Sequence, residues 1–257
     1  MMRSIFAAML LALLAATSGT AAAATTERCV TPAKLVDLGQ PLPRVAARLA
    51  RRETVTVVAI GSSSTGGAGA SDPAYSYPAQ LGRRWPQLVG GDAVIHNRGI
   101  NGQDVIQMNQ RLHADAVDLK PDLVLWQLGT NAVLRSQGVE VYRAHIRQGI
   151  ATLQAAGIDV VLIDLQYAPK VLQDPDHKAM QKILAELAAE TKVGLFRRFD
   201  IMRGWLRNGS LQMADMVTPD GLHMNDLGYA CWAAALGQSL GRAVDRAGIK
   251  AAVSRGN

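Results

Sequence analysis

The sequence predicts a three-layer α/β/α sandwich built on a five-stranded parallel sheet. Two observations carry this. From residue 54 onward, short β-rich apolar runs alternate with longer stretches of helical period, the pattern of a parallel sheet covered on both faces. The first three runs each end in a loop of small or amide-bearing residues, which is where open parallel sheets place their ligands.

The predicted strands cover residues 55–60, 93–96, 123–128, 160–165 and, most weakly, 195–199. The predicted helices cover 77–85, 105–118, 139–156, 174–192 and 226–247, with Asp226 as a capping residue and Gly157 as a stop before the fourth strand. Residues 25–53, with Pro32, Pro41 and Pro43, read as a lead-in wrapping the domain at 54–257. Neither an internal repeat nor a linker divides the chain.

Apolar residues make up 49% of the 257 positions and charged residues 19%, enough to bury a core against the conformational entropy of folding. Residues 1–24 read differently: Arg3, an uncharged Ala/Leu-rich run, then Ala21 to Ala24. That is the form of a secretory signal peptide, and its strongly apolar stretch is shorter than the ~20 residues a bilayer span needs. Its removal takes away one charge, so the formal +6 becomes +5 and basicity belongs to the mature chain. A periplasmic or secreted protein without a stable membrane anchor is expected. Basicity favours anionic glycans or headgroups as neighbours, but no basic–aromatic interleaving points to nucleic acid. Export would place Cys29 and Cys231 in an oxidising compartment, where a disulfide between them would tether the lead-in to the last helix; two separate buried thiols are the alternative. Neither has metal-ligand spacing.

Directly after the first strand comes Gly61-Ser62-Ser63-Ser64-Thr65-Gly66-Gly67. A serine at such a strand-to-helix turn is held at the sheet edge with backbone N–H groups nearby for an oxyanion. Asn97-Arg98-Gly99-Ile100-Asn101-Gly102 follows the second strand and Gly129-Thr130-Asn131 the third. Downstream, Asp220-Gly221-Leu222-His223 sets a carboxylate three residues before an imidazole, a spacing that lets one fix the tautomer of the other. The Ser62–Ser64 run leaves the nucleophile open on residue type alone. No P-loop ending or Gly-x-Ser-x-Gly elbow is present.

These four blocks, in this order, resemble the SGNH (GDSL-like) hydrolases over about residues 55–229. The resemblance implies a flavodoxin-like sandwich and an esterase without metal or organic cofactor. By register it makes Ser63 the nucleophile, His223 the general base and Asp220 its orienting carboxylate. Ser63, Gly102 and Asn131 become the oxyanion donors. Two positions depart from the family pattern: Ser62 stands where Asp is usual, and Ala132 follows Asn131 where Asp often does. A less acidic pocket with altered loop hydrogen bonding is the expected consequence. Arg98 and Gln166 are candidate substrate contacts and His96 a candidate lining residue, while His113, His145, His177 and the Arg197-Arg198 pair read as solvated. The expected activity is hydrolysis of carbohydrate or cell-wall O-acetyl esters, or of short acyl or lysophospholipid esters. A periplasmic O-acyltransferase and a catalytically silent glycan-binding protein are the alternatives.

Overall fold

The computed structural model describes residues 28–255, so the expected signal segment, 1–24, lies outside the described residues. Five strands form one sheet: β1 Val55–Gly61, β2 Ala93–Gly99, β3 Leu123–Gln127, β4 Asp159–Ile163 and β5 Gly194–Phe196. Their order is β2-β1-β3-β4-β5 and every pairing is parallel, so all carboxyl ends share one edge. The chain leaves β1 toward β2 and returns to its other side at β3. That reversal opens the crevice in which α/β sheets bind ligands.

The helices are α1 Pro43–Ala50, α2 Ser63–Gly66, α3 Tyr77–Leu88, α4 Val105–Gln110, α5 Leu112–Asp115, α6 Thr130–Leu134, α7 Val141–Ala155, α8 Pro169–Gln173, α9 Asp176–Thr191, α10 Arg198–Arg207, α11 Met213–Met216 and α12 Asp226–Arg255. α1, α3 and α12 pack together on one side of the sheet, and α4, α7 and α9 on the other. β1 and β3, covered on both faces, are almost continuously apolar and buried; the edge strand β2 leaves Val94 exposed. The lead-in is part of the core, since Val36, Leu38, Leu42 and Val45 are buried and Leu195 N–H donates to Leu38 O at 3.0 Å. Cys29 and Cys231 form a disulfide that ties the lead-in to α12.

Three expected elements are corrected. The strand at 195–199 stops at Phe196, because the Asp164 carboxylate accepts the Phe199 N–H at 3.0 Å and anchors the first turn of α10, which the sequence reading lacked. The strand at 160–165 stops at Ile163, beyond which the chain leaves the sheet toward α8. The helix at 105–118 breaks at Arg111, whose guanidinium reaches Arg98 O at 2.9 Å and Gly61 O at 3.1 Å. His177, expected in solvent, is buried, with Nδ1 2.6 Å from Asp174 O and its ring against Phe199. Among the described residues no helix is long and apolar enough to cross a membrane, and no cluster of His, Cys, Asp or Glu could hold a metal ion.

Candidate active site

The chain turns from β1 into α2 within one residue. Ser62 stays extended and Ser63 opens the four-residue helix. Gly61 permits this close turn: a Cβ there would strike Thr65 Oγ1 and stand 2.8 Å from Gln127 Oε1. Gln127, buried at the end of β3, receives three hydrogen bonds on that one oxygen. Ser62 N–H and Oγ–H each donate at 2.9 Å and Thr65 Oγ1 at 3.3 Å. The Ser62 side chain therefore points into the protein, Ser64 is buried as well, and only Ser63 of the three has its hydroxyl against an imidazole.

That imidazole belongs to His223, whose Nε2 lies 2.8 Å from Ser63 Oγ. Its Nδ1 lies 2.5 Å from Asp220 Oδ2. A carboxylate on Nδ1 fixes the tautomer that leaves the Nε2 lone pair facing the hydroxyl. Asp220 is itself held: its Oδ1 accepts from Thr218 Oγ1 at 2.7 Å and from the N–H groups of Leu222 and His223 at 2.8 and 3.0 Å. Partial burial pushes its carboxyl up, but the Thr218 hydroxyl, His223 and the two amides outweigh burial and hold it well below the usual carboxylate range. Antiparallel pairing of Val217 with Met224 closes this loop. Gly69 lets the loop after Ser63 lie against it, since a Cβ at Gly69 would come 2.9 Å from His223 Cβ.

Because β1 lies between β2 and β3, the Ser63 turn is flanked by the loops carrying Gly102 and Asn131. Asn97 Nδ2 donates to Thr65 O at 2.9 Å and Ile100 N–H to Gly61 O at 3.0 Å, which fasten the second loop to the Ser63 turn. Asn131 Nδ2 donates to Gln103 O at 2.8 Å, joining the third loop to the second. One amide hydrogen is engaged there, and the amide carries another.

The candidate substrate contacts are placed differently from expectation. Gln166 is buried and bonded to protein, its Oε1 accepting from Thr130 Oγ1 and Arg198 Nη2, so it is no surface contact. Arg98 lies within β2 opposite Ile60 rather than in the loop, and its Nε is buried without a partner. His96 sits mid-strand opposite Val58 and half-buried. Arg198, expected in solvent, is 1% exposed, whereas Arg197 reaches Lys34 O at the surface. Sequence reasoning missed Gln127, Thr218 and Arg111. Thr218, just before Pro219 and the Asp-x-x-His block, was the one with a positional signal.

Fold and site together define a member of the SGNH hydrolase superfamily. The sequence model of the Non-GDSL lipase-like family matches residues 28–246, and the chain belongs to that family. An acetylxylan esterase of Xylanibacter ruminicola is 24% identical over 222 residues, covering 76% of this chain. The chain spans 44% of the length of that curated relative. Among solved structures, an acetylxylan esterase from Geobacillus stearothermophilus superposes with a TM-score of 0.60 at 22% identity, covering 73% of this chain and 94% of its own. A putative lipolytic protein of the G-D-S-L family from Desulfitobacterium hafniense gives 0.57 at 19% identity over 74% and 99%. These likenesses show the fold.

Proposed function

We propose that this chain is an exported serine esterase that hydrolyses carboxylic esters through an acyl-serine intermediate. The observation that carries this is the unbroken hydrogen-bond chain from Ser63 Oγ through His223 to Asp220, at 2.8 and 2.5 Å, on a strand-to-helix turn. In the proposed cycle Ser63 Oγ attacks the ester carbonyl while His223 Nε2 takes its proton. The Ser63 and Gly102 N–H groups and the Asn131 amide receive the oxyanion. His223 then protonates the departing alcohol, and water, deprotonated by the same nitrogen, releases the acid. Asp220, ionised throughout, orients the imidazole and stabilises its charged form.

Acetyl esters on carbohydrate are the substrate class we favour, on the strength of the curated relative's activity toward acetylxylan. Export to the periplasm or beyond is consistent with the disulfide, since such bonds persist in oxidising compartments.

The test is hydrolysis of p-nitrophenyl esters from acetyl to long acyl chains by the mature protein and its Ser63→Ala variant. Turnover of the acetyl ester that vanishes in the variant is expected. Folded wild-type protein inert toward every ester would overturn the reading, and a preference for long chains would overturn the acetyl assignment.

A further inference from the structure

Arg198 is a buried cation that the proposed chemistry does not use. It is 1% exposed, and its guanidinium lies 4.4 Å over the ring of Trp232. Removing a guanidinium from water is costly unless hydrogen bonds and ring contacts replace its hydration. Among the described residues no carboxylate is hydrogen-bonded to its guanidinium. The nearby Asp164 carboxylate accepts from Phe199 N–H instead, while Arg198 Nε donates to the Asp164 backbone carbonyl at 3.0 Å. The remaining bond is to Gln166: Arg198 Nη2 donates to Oε1 at 2.7 Å.

That bond sets which way the Gln166 amide faces. Arginine only donates, so the amide must turn its oxygen toward Arg198. Thr130 Oγ1 donates to the same oxygen at 2.8 Å. The Nε2 hydrogens are left to face the Leu222 carbonyl, at 3.4 Å the loosest of the three contacts. Thr130 immediately precedes Asn131, and Leu222 immediately precedes His223. One buried amide thus stands between the neighbour of the proposed oxyanion donor and the neighbour of the proposed base.

We propose that Gln166, oriented by Arg198, is a positioning residue that locks the Thr130–Asn131 turn and the Leu222–His223 loop into one unit, fixing the base relative to the oxyanion donor. This rests on the serine esterase reading. Gln166 touches no reacting atom; it acts by holding two loops whose side chains do. Near-attack geometry is steep in rate, a displacement of ~1 Å being worth on the order of a hundredfold.

The test compares wild type with Gln166→Glu and Thr130→Val. Gln166→Glu keeps the side-chain shape and the acceptor for Arg198 and Thr130, but sets an oxygen where an N–H faced Leu222 O. Thr130→Val cuts the other arm with nearly the same volume. Two rates are read on protein with native near-ultraviolet circular dichroism: turnover of p-nitrophenyl acetate, and covalent labelling of Ser63 by a fluorophosphonate, which needs the aligned serine and base but no natural substrate. The expected result for Gln166→Glu is a fall of about tenfold or more in kcat and labelling rate, with KM within about twofold. The downfield proton resonance of the His223–Asp220 bond should also broaden. Thr130→Val should lose about fivefold in kcat and leave that resonance sharp. Labelling at the wild-type rate in folded Gln166→Glu overturns the positioning role alone. Wild-type protein that takes no label at Ser63 overturns the esterase reading beneath it.

Discussion

Asn131 braces one loop and, in the proposed cycle, donates to the oxyanion, and the balance decides what its loss does. Its Nδ2 is already bonded to Gln103 O, so the side chain braces the loop that carries Gly102 while its free amide hydrogen remains for an oxyanion. Removing a donor of this type costs on the order of 10² to 10³ in turnover, and removing the brace adds a smaller geometric loss. Asn131→Ala is therefore expected to lower kcat on p-nitrophenyl acetate by about 10² or more while KM changes little. The residue is half-buried at a helix start, so the variant should fold. A kcat within a few-fold of wild type would remove Asn131 from the oxyanion hole. Ser62 teaches the converse. Its departure from the usual Asp predicts a less acidic pocket with altered loop hydrogen bonding, and its side chain faces Gln127 inside the protein. The change from the usual Asp is a change of internal hydrogen bonding, with Ser62 as donor. Ala132 is likewise buried, within α6, so a carboxylate there would not simply line the cleft.

At the scale of elements, the turn between β1 and α2 depends on one acceptor in β3. Gln127 Oε1 serves Ser62 N–H, Ser62 Oγ–H and Thr65 Oγ–H together. The two sides of this arrangement are unequal. Ser62→Ala deletes one donor and leaves the amide bonded, a loss of about 1 kcal/mol. Gln127→Leu strands buried donors on the Ser63 turn, each worth about 1–3 kcal/mol unsatisfied. Denaturant titration should rank Gln127→Leu well below Ser62→Ala in stability; equal midpoints would mean the turn is held by its backbone alone. The same asymmetry explains what the sequence disclosed. β1, β3 and the Asp220–His223 block were readable because buried parallel strands are apolar throughout and because the chemistry restricts residue type and spacing. Gln127 was hidden inside an apolar strand, and Gln166 stood at a strand end where a polar residue reads as a ligand contact. Neither has a local signal, since each is defined by partners more than thirty residues away. Likewise, α10 begins at Arg198 because Asp164 accepts its first-turn amide, a contact no window around residue 198 contains.

At the scale of the whole molecule, the basic side chains of one groove are paired with carboxylates. At the sheet edge remote from Ser63, Arg44, Arg48 and Arg51 surround a groove of about 440 Å³, but Arg44 and Arg48 bind Asp122 and Arg51 binds Glu53. Charge does set a pH dependence of stability. Burial pushes the Asp164 carboxyl up to about 7, against the Phe199 amide and Arg198, and pushes Asp159 up to about 6, against the Val45 and Arg44 amides. Both lie above the ordinary Asp value, so the folded state holds protons that the unfolded chain releases. Their stabilising effect is complete below about pH 4 and is lost as pH rises toward 7. Asp220, Asp37 and Asp174 are depressed and oppose this only in acid, below the ordinary carboxylate range. The melting temperature is expected to be higher at pH 5 than at pH 8, with a shallower slope in Asp164→Asn. A Tm that rises toward pH 8 would place both carboxylates in a more polar setting.

The Cys29–Cys231 bridge acts at the same scale, because it closes a loop with a sequence separation of 202 around nearly the entire domain. Cross-linking so long a loop restricts the unfolded chain by about 5 kcal/mol in the chain-entropy description. It adds little to a native state in which Val36, Leu38, Leu42 and Val45 already hold the lead-in against the core. The Cys29→Ser/Cys231→Ser double variant should therefore fold with the same site geometry and turn over p-nitrophenyl acetate at 25 °C as wild type does. Its loss should appear in the melting temperature: at about 2–4 °C per kcal/mol for a domain of this size, calorimetry should show a drop of roughly 10–20 °C. An unchanged midpoint would mean that the unfolded chain is already compact near its two ends. A loss of activity at 25 °C would mean that the bridge shapes the native loops as well.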